Sequence, residues 1–400
     1  MNAEIFLDEN AWKAEWQRRR SPSKKRCTRC LYDEATPSIS FDAAGVCSYC
    51  HTHDQLMEQY QSVAGRQEFE NIVKKIKYDG RNKKYDIIVG VSGGADSSYM
   101  IYLAKEYGLR PLAVHFDNTW NSTIAVENIN NVLEKLDVEL WTHVVDNHEY
   151  DDLYRAILKA GVPDLEAPTD LALAVTLNQA AIKHGIKYIF EGHSFKTEGI
   201  SPLGWLYMDA KYIDSMHKQY GTLKKLHTYP YMWLSKQLKW MLFNRLKKIR
   251  PFWYIDYQKE EAKKMLAEKF GWQWYGGHHL ENRITNFYHT YFIPRRFDID
   301  GRVNGFAALV RSGQMDREEG IALLATPPQC DPEIVALVKK RWQLSDEEFI
   351  HLMTQPTRTY KEYKTYKSTF EKMRPFFYIM AKMNLIPMSF YLKYTLKDVR

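Results

Sequence analysis

No run of the 400-residue sequence approaches the ~18 consecutive apolar residues that a bilayer-spanning helix needs. The first residues, MNAEIFLDENAWKAEWQRRR, are charged and lack the apolar centre of a secretory signal, so the expected location is cytoplasmic. Cysteine is scarce, with five residues, and a cytosolic setting disfavours disulfides between them. Two common nucleotide signatures are missing, the Walker loop GxxxxGK[ST] and the dinucleotide loop GxGxxG. Neither sign of charge dominates. Fifty-six Lys and Arg against 49 Asp and Glu leave +7, which suits anionic ligands without choosing among nucleotides, nucleotide sugars and RNA.

What is present starts with YDIIVGVSGGADSSY at 85–99. Tyr85 to Val91 is apolar and β-branched, long enough for a buried strand and too short for a helix. Ser92-Gly93-Gly94-Ala95-Asp96-Ser97-Ser98 follows, then a stretch with apolar residues at helical spacing. A strand, a glycine-rich turn and a helix start place backbone N–H groups and a helix dipole where they can hold phosphate. Asp96 is the misfit, since a carboxylate repels phosphate unless a cation stands between them. It reads as a magnesium ligand. The six residues Ser92 to Ser97 resemble the SGGxDS signature of the PP-loop ATP pyrophosphatases, which cleave ATP between the α and β phosphates.

Cys27-Thr28-Arg29-Cys30 and Cys47-Ser48-Tyr49-Cys50 form two CxxC knuckles. Each supplies two thiolates from one tight turn, and four close a tetrahedral zinc site with no open position for chemistry. The chain then divides into a polar lead-in at 1–26, a zinc module at 27–53, a helical linker at 54–84, an ATP-binding domain at 85–200, a substrate-binding region at 201–325 and a helical tail at 326–400. Within the ATP-binding domain, strands are expected at 112–116, 139–145 and 188–190, with helices at 124–136 and 171–184. The fold class is α/β, a doubly wound and mainly parallel sheet.

In such a sheet, ligands sit at the carboxyl ends of the strands. Three ends converge here: Val91 to Ser98, His115-Phe116-Asp117-Asn118, and Glu191-Gly192-His193-Ser194. The first holds phosphate, and the second, with Gly192, faces the nucleoside. His193 is placed to meet phosphate or substrate, and Lys196 and Glu198 follow on the same loop. Tyr275-Gly276-Gly277-His278 is a turn able to bring backbone and imidazole against an anionic substrate. Arg295-Arg296 closes a helix, and the pair is either solvated or a clamp for pyrophosphate or a nucleotide diphosphate. Leu234 to Ile249 has helical spacing with a basic face.

The knuckles, SGGADSS, EGHSFKTEG and YGGHHLENRITNFYHTYFIPRRFDID together resemble the N-acetyl sugar amidotransferases, PP-loop enzymes of bacterial surface-polysaccharide and nonulosonic acid pathways. The likeness runs over roughly 25–325. It departs at Phe297-Asp298, where the family has a glycine after the phenylalanine and then a Lys-Arg pair. The resemblance implies that the N-acetyl carbonyl oxygen of a nucleotide-linked sugar is adenylated and that ammonia then displaces AMP, leaving an acetamidino group. ATP, Mg²⁺ and Zn²⁺ are the implied cofactors. Ser92, Gly93, Gly94, Ser97 and Ser98 would hold pyrophosphate, Asp96 the magnesium, and Arg295 and Arg296 would stabilise anionic charge. No glutaminase is present in the sequence, so ammonia is expected from a separate glutaminase with a channelling, cyclase-like subunit. No nucleic acid partner is expected. Two rivals stay open: a tRNA-thiolating PP-loop enzyme, against which only Cys330 remains as a free thiol, and a non-catalytic zinc-ribbon scaffold that binds nucleotide.

Overall fold

The computed structural model describes residues 3–20, 24–200, 202, 206–277, 279–383, 386, 391, 394 and 395. Among them, apolar segments pair into one parallel sheet: β1 (Ile87–Gly90), β2 (Pro111–Asp117), β3 (Leu140–Val144), β4 (Tyr188–Phe190) and β5 (Lys247–Ile249). The strand order is β3-β2-β1-β4-β5. Alternation along β1 sends Ile87 and Val89 to one face and Ile88 to the other. On the first face lie α3 (Val63–Gly80), α4 (Ala95–Glu106), α5 (Thr123–Leu136) and the helix Lys259–Phe270. The second face is covered by α7 (Ala167–Lys183) through Leu177, Ala180 and Ala181. The central strands β1, β2 and β4 are buried on both faces, as parallel strands require, whereas the edge strands β3 and β5 are partly exposed.

β5 corrects the expectation of one continuous helix over 234–249. The helix Leu234–Lys239 passes into a π-helical turn at Trp240–Asn244, and Arg245 takes φ +48° to end it. Lys247 and Lys248 then pair with Tyr188 and Ile189. An edge strand carrying lysines resists further pairing, and that same charge disguises it as a helix face. The linker also differs from expectation. It is two helices, α2 (Ser48–Tyr60) and α3, broken where the Ser62 side chain accepts from the Gly65 N–H at 3.1 Å.

The expected polar lead-in is a packed helix, α1 (Glu9–Arg20). Trp12 and Trp16 stand one turn apart on one face and are fully buried. Burying a large apolar side chain contributes roughly 1.5–3 kcal/mol, so the helix is bound by these two indoles rather than solvated by its arginines. It joins the largest core with α6 (Asn147–Ala160) and the helices Pro332–Arg341, Asp346–Thr354 and Arg374–Lys382. The region read as a tail is therefore core as well, through Val338, Trp342, Phe349, Met353 and Phe377. Asp298 ends the helix Ile293–Phe297 at φ +55°, the left-handed position where the family resemblance has glycine. Aspartate tolerates that conformation, and here it gains an ion pair with Arg20 at 2.9 Å.

Candidate active site

The turn after β1 is held from behind by side chains of β2 and the segments packed on it. The Val91 carbonyl accepts from His115 Nδ1 at 2.8 Å, while His115 Nε2 accepts from the Asn121 amide at 3.1 Å. Gly93 follows at φ +82°, and a Cβ there would lie 2.3 Å from the Ala125 carbonyl oxygen. Only glycine fits. The Gly93 carbonyl accepts from Trp272 Nε1 at 3.0 Å and from the Asn128 amide at 3.2 Å, and Asn128 Oδ1 in turn accepts the Gln273 N–H at 2.7 Å. Gly94 caps α4, and Ser97 Oγ donates to its carbonyl while accepting the Ser92 N–H, each at 3.2 Å. The result is a helix N-terminus with a rigid, Cβ-free approach. That is the donor set a phosphate group needs.

Asp96 lies in the first turn of α4. Tyr257 donates to its Oδ1 at 2.5 Å, and Lys259 Nζ sits 3.1 Å from Oδ2. Burial pushes the Asp96 carboxyl up, but the Lys259 charge and the Tyr257 hydrogen bond win and hold it below the usual range. Glu198 shares a hydrogen bond with it, and burial followed by the Asp96 charge pushes Glu198 up to about 8. The pair thus carries one proton at neutral pH, with Asp96 ionised. Tyr257 and Lys259 carry no motif in sequence, and they reach Asp96 only because the helix Lys259–Phe270 packs on α4.

The other strand ends contribute less directly than expected. Phe116 is core, stacked on His143. Asp117 Oδ1 accepts the Thr119 N–H at 2.8 Å and the Asn121 amide at 2.9 Å, which shapes the turn. Asn118 is buried and accepts the Asn282 amide at 2.8 Å. Gly192 approaches the backbone of Asp96, where a Cβ would stand 3.9 Å away. His193 accepts from Trp253 Nε1 at 3.4 Å, and burial with the nearby Arg250 charge lowers it to about 4, so it is neutral at pH 7. Lys196 is buried and paired with Asp256. Ser98 is buried behind the turn.

The Tyr275-Gly276-Gly277 turn and the segment after it reach this site. The Tyr275 hydroxyl would stand 3.1 Å from a Cβ on Gly94, and Glu281 Oε1 accepts from Ser92 Oγ at 3.0 Å. Gly276 takes φ +97° and Gly277 abuts Leu280. His278 lies outside the described residues. Asn282 caps the helix Arg283–Phe287 and ties it to Asn118 and Asn121. From that helix, Thr285 Oγ1 donates to Glu166 Oε2 at 3.0 Å, at the start of α7. Burial and then the Asp170 charge raise Glu166 to about 8. Tyr154 also donates to Glu166, while Asp170, one turn further along α7, is exposed.

Arg295 and Arg296 are placed elsewhere. Arg295 is 1% exposed, paired with Glu9 and donating to the Ile5 carbonyl at 2.5 Å. Arg296 donates to the Leu352 and Gln355 carbonyls. Both brace the core between α1 and the C-terminal helices. Their adjacency in sequence suggested a clamp, but on a helix consecutive residues diverge by about 100°.

The four cysteines do converge. Their Sγ atoms are 3.6 Å apart for Cys30–Cys47 and Cys47–Cys50, and 3.8 Å for Cys27–Cys50. A tetrahedron with Zn–S of about 2.3 Å has edges of about 3.8 Å. The Cys27 Sγ accepts backbone N–H groups from Arg29, Cys30 and Cys47, and Arg311 donates to Cys30 at 3.5 Å. Such donors offset the charge of metal-bound thiolates. The module packs on Val303, Phe306, Ala307, Val310 and Leu324.

Residues 281–375 match the family model described as LPS biosynthesis protein WbpG-like, C-terminal domain. The match begins at Glu281, the residue that touches Ser92. Among curated proteins, the chain is 29% identical over 134 residues to the tRNA-specific 2-thiouridylase MnmA of Proteus mirabilis (strain HI4320), covering 30% of this chain and 36% of the relative. It is 29% identical over 127 residues to the tRNA-specific 2-thiouridylase MnmA of Colwellia psychrerythraea (strain 34H / ATCC BAA-681), covering 28% and 34%. The chain thus spans about a third of the length of these curated relatives. Among solved structures it is similar to NMN synthetase from Francisella tularensis, at 14% identity over 56% of this chain and 92% of that one, with a TM-score of 0.25. A second is the NH3-dependent NAD synthetase from Campylobacter jejuni subsp. jejuni, at 14% identity over 70% and 93%, with a TM-score of 0.28.

Proposed function

We propose that the protein is an ATP-dependent, AMP-forming amidotransferase that acts on the N-acetyl group of a nucleotide-linked sugar in surface-polysaccharide biosynthesis. The observation that carries this reading is the union of two parts. A phosphate-type turn with Asp96 in its first helical turn meets, through Ser92 and Glu281, the segment matching a WbpG-like domain.

The chemistry is a two-step exchange of oxygen for nitrogen. The acetamido oxygen attacks the α-phosphorus of ATP, the bond to the bridging oxygen breaks, and pyrophosphate leaves while the amide N–H proton is released. Ammonia adds to the activated carbon, the C–O bond breaks, and AMP departs from an acetamidino group. An amide oxygen is a poor leaving group and adenylation makes it a good one. Ser92, Gly93, Gly94 and Ser97 would hold the pyrophosphate while its charge develops. Asp96, kept ionised by Lys259 and Tyr257, fits a magnesium ion, which would offset charge on the phosphate oxygens. Glu166, Asp170 and Thr285 fit the hydroxyl-rich acceptor, with Tyr275 at the boundary. Ammonia would come from a separate glutaminase with a channelling subunit. No helix among the described residues is long and apolar enough to cross a membrane, and we place the reaction in the cytoplasm. The cysteine site fits zinc in a structural role.

The partial likeness to 2-thiouridylases favours a second reading, transfer of sulfur to tRNA. Such chemistry needs a reactive thiol. Burial pushes the Cys330 thiol up to about 11, and the other four cysteines face one another. We therefore rank that reading second. Pyrophosphate release from Mg-ATP and ammonium, assayed with UDP- and CMP-linked N-acetyl sugars against bulk tRNA, decides between them. Release that depends on one sugar, with a product one mass unit lighter, supports the amidotransferase. Release that depends only on tRNA overturns it.

A further inference from the structure

Glu281 is 7% exposed, and a carboxylate so deeply buried needs donors on both oxygens. One oxygen has them. Oε1 accepts from Ser92 Oγ at 3.0 Å and stands 2.9 Å from where a Cβ on Gly94 would be, beside the Tyr275 hydroxyl. Oε2 is buried and accepts no hydrogen bond among the described residues. The Gly94 N–H is turned to Ser92 Oγ at 3.3 Å, so the serine hydroxyl sits between the carboxylate and the helix N-terminus.

That geometry belongs to an anion, and Glu281 supplies one from within the chain. A carboxylate oxygen accepting from a turn serine above the start of a helix takes the position and the donor that a phosphate oxygen would take. Two anions cannot share that hydroxyl without a large repulsion in a buried site. Glu281 is also well placed to signal its own departure. Its carbonyl accepts the Ser122 N–H at 3.1 Å, and the next residue, Asn282, ties Asn118 and Asn121 to the helix that carries Thr285 to Glu166.

We propose that Glu281 is a displaceable occupant of the phosphate cradle, competing with the pyrophosphate moiety of a nucleotide for Ser92, so that nucleotide entry moves the segment that bounds the acceptor site. Glu281 is thus a positioning residue. It lowers the affinity of the cradle for a polyphosphate and links filling of that cradle to the residues around Glu166. The inference rests on reading the Ser92 turn as a nucleotide site.

The test is calorimetric titration of the full-length wild type, Glu281→Gln and Glu281→Asp with magnesium pyrophosphate and with Mg-ATP, with thermal melting as the check on folding. Removing the like charge makes Glu281→Gln bind pyrophosphate about tenfold tighter than wild type. Glu281→Asp, which keeps the charge but is one methylene shorter, falls between the two. A purely structural Glu281 would shift melting without tightening binding. Unchanged or weaker binding by folded Glu281→Gln, with wild type binding normally, overturns the competition and leaves the nucleotide reading intact. If wild type and variants bind neither ligand, both fall. Should Glu281→Gln fail to fold, an affinity of Glu281→Asp no tighter than wild type overturns the competition.

Discussion

The cysteine module and the Ser92 turn both bring backbone N–H groups to bear on a charge, and they are built in opposite ways. The module draws all its thiols from one short stretch. Its four cysteines come from residues 27–50, their sulfurs are fully buried, and the N–H donors to Cys27 come from within the same knuckles. The Ser92 turn is finished by borrowing. Tyr257 and Lys259 hold Asp96, Trp272 holds Gly93, Asn128 ties that carbonyl to Gln273, and Glu281 meets Ser92. A structural metal site profits from closure, whereas a site that binds and releases a ligand needs walls that are separately anchored and can part.

The sharpest way to break the comparison is to remove the charge that only the open site requires. Asp96→Asn should lower pyrophosphate release by about 10²–10³-fold while zinc content by metal analysis stays at the wild-type level. An equal loss of zinc would mean that the two sites are not independent. Cys47→Ser should do the reverse, emptying the metal site and lowering stability by about 2–4 kcal/mol. Denaturant titration with metal analysis reads it, and activity should fall only as far as the helix Arg302–Arg311, on which the module docks, is disturbed.

A gentler probe addresses the Glu166 cluster. The folded-state value of Glu166, about 8, lies above its ordinary 4.5. Its contribution to stability is therefore complete below pH 4.5 and is lost as pH rises through 8. Wild type should lose melting temperature between pH 6 and pH 9, and Glu166→Gln should remove about 1–3 °C of that loss. Identical pH profiles would show that Glu166 is not the buried acid of this cluster. The weakest expected effect is at Asp298. Asp298→Gly relieves a left-handed residue but gives up ion pairs with Arg19 and Arg20. These half-exposed interactions nearly cancel, so the denaturation midpoint should move by no more than about 0.5 kcal/mol in stability.

The same contrast explains what could be read in the sequence. The four-cysteine cluster, the strand at Tyr188–Phe190 and the turn Ser92–Ser97 are local patterns, and each stands where its residues implied. Asp96 stood out because a carboxylate in a glycine-rich turn at a helix start is locally anomalous. Its partners were not, because Tyr257, Lys259 and Glu281 acquire meaning only when helices distant in sequence pack on α4. Glu281 alone offered a hint, standing four residues after Gly277 within a distinctive block. Arg295 and Arg296 misled for the complementary reason: paired arginines look like an anion clamp until the core shows them reaching carbonyls at Ile5 and Leu352. β5 was hidden by lysines that an edge strand and a helix face present equally.

The stitching of α1 has a consequence for the order in which the molecule assembles. Trp16 donates to the Leu324 carbonyl and Arg295 to that of Ile5, contacts that span 308 and 290 residues. During synthesis this helix leaves the ribosome long before its binding surface exists, with two indoles and no core to receive them. Non-local closure of this kind is slow. Docking of α1 is thus expected among the last events of folding, after the sheet and the C-terminal helices have formed. Until then the nascent chain carries an aromatic, basic segment that a chaperone can grip.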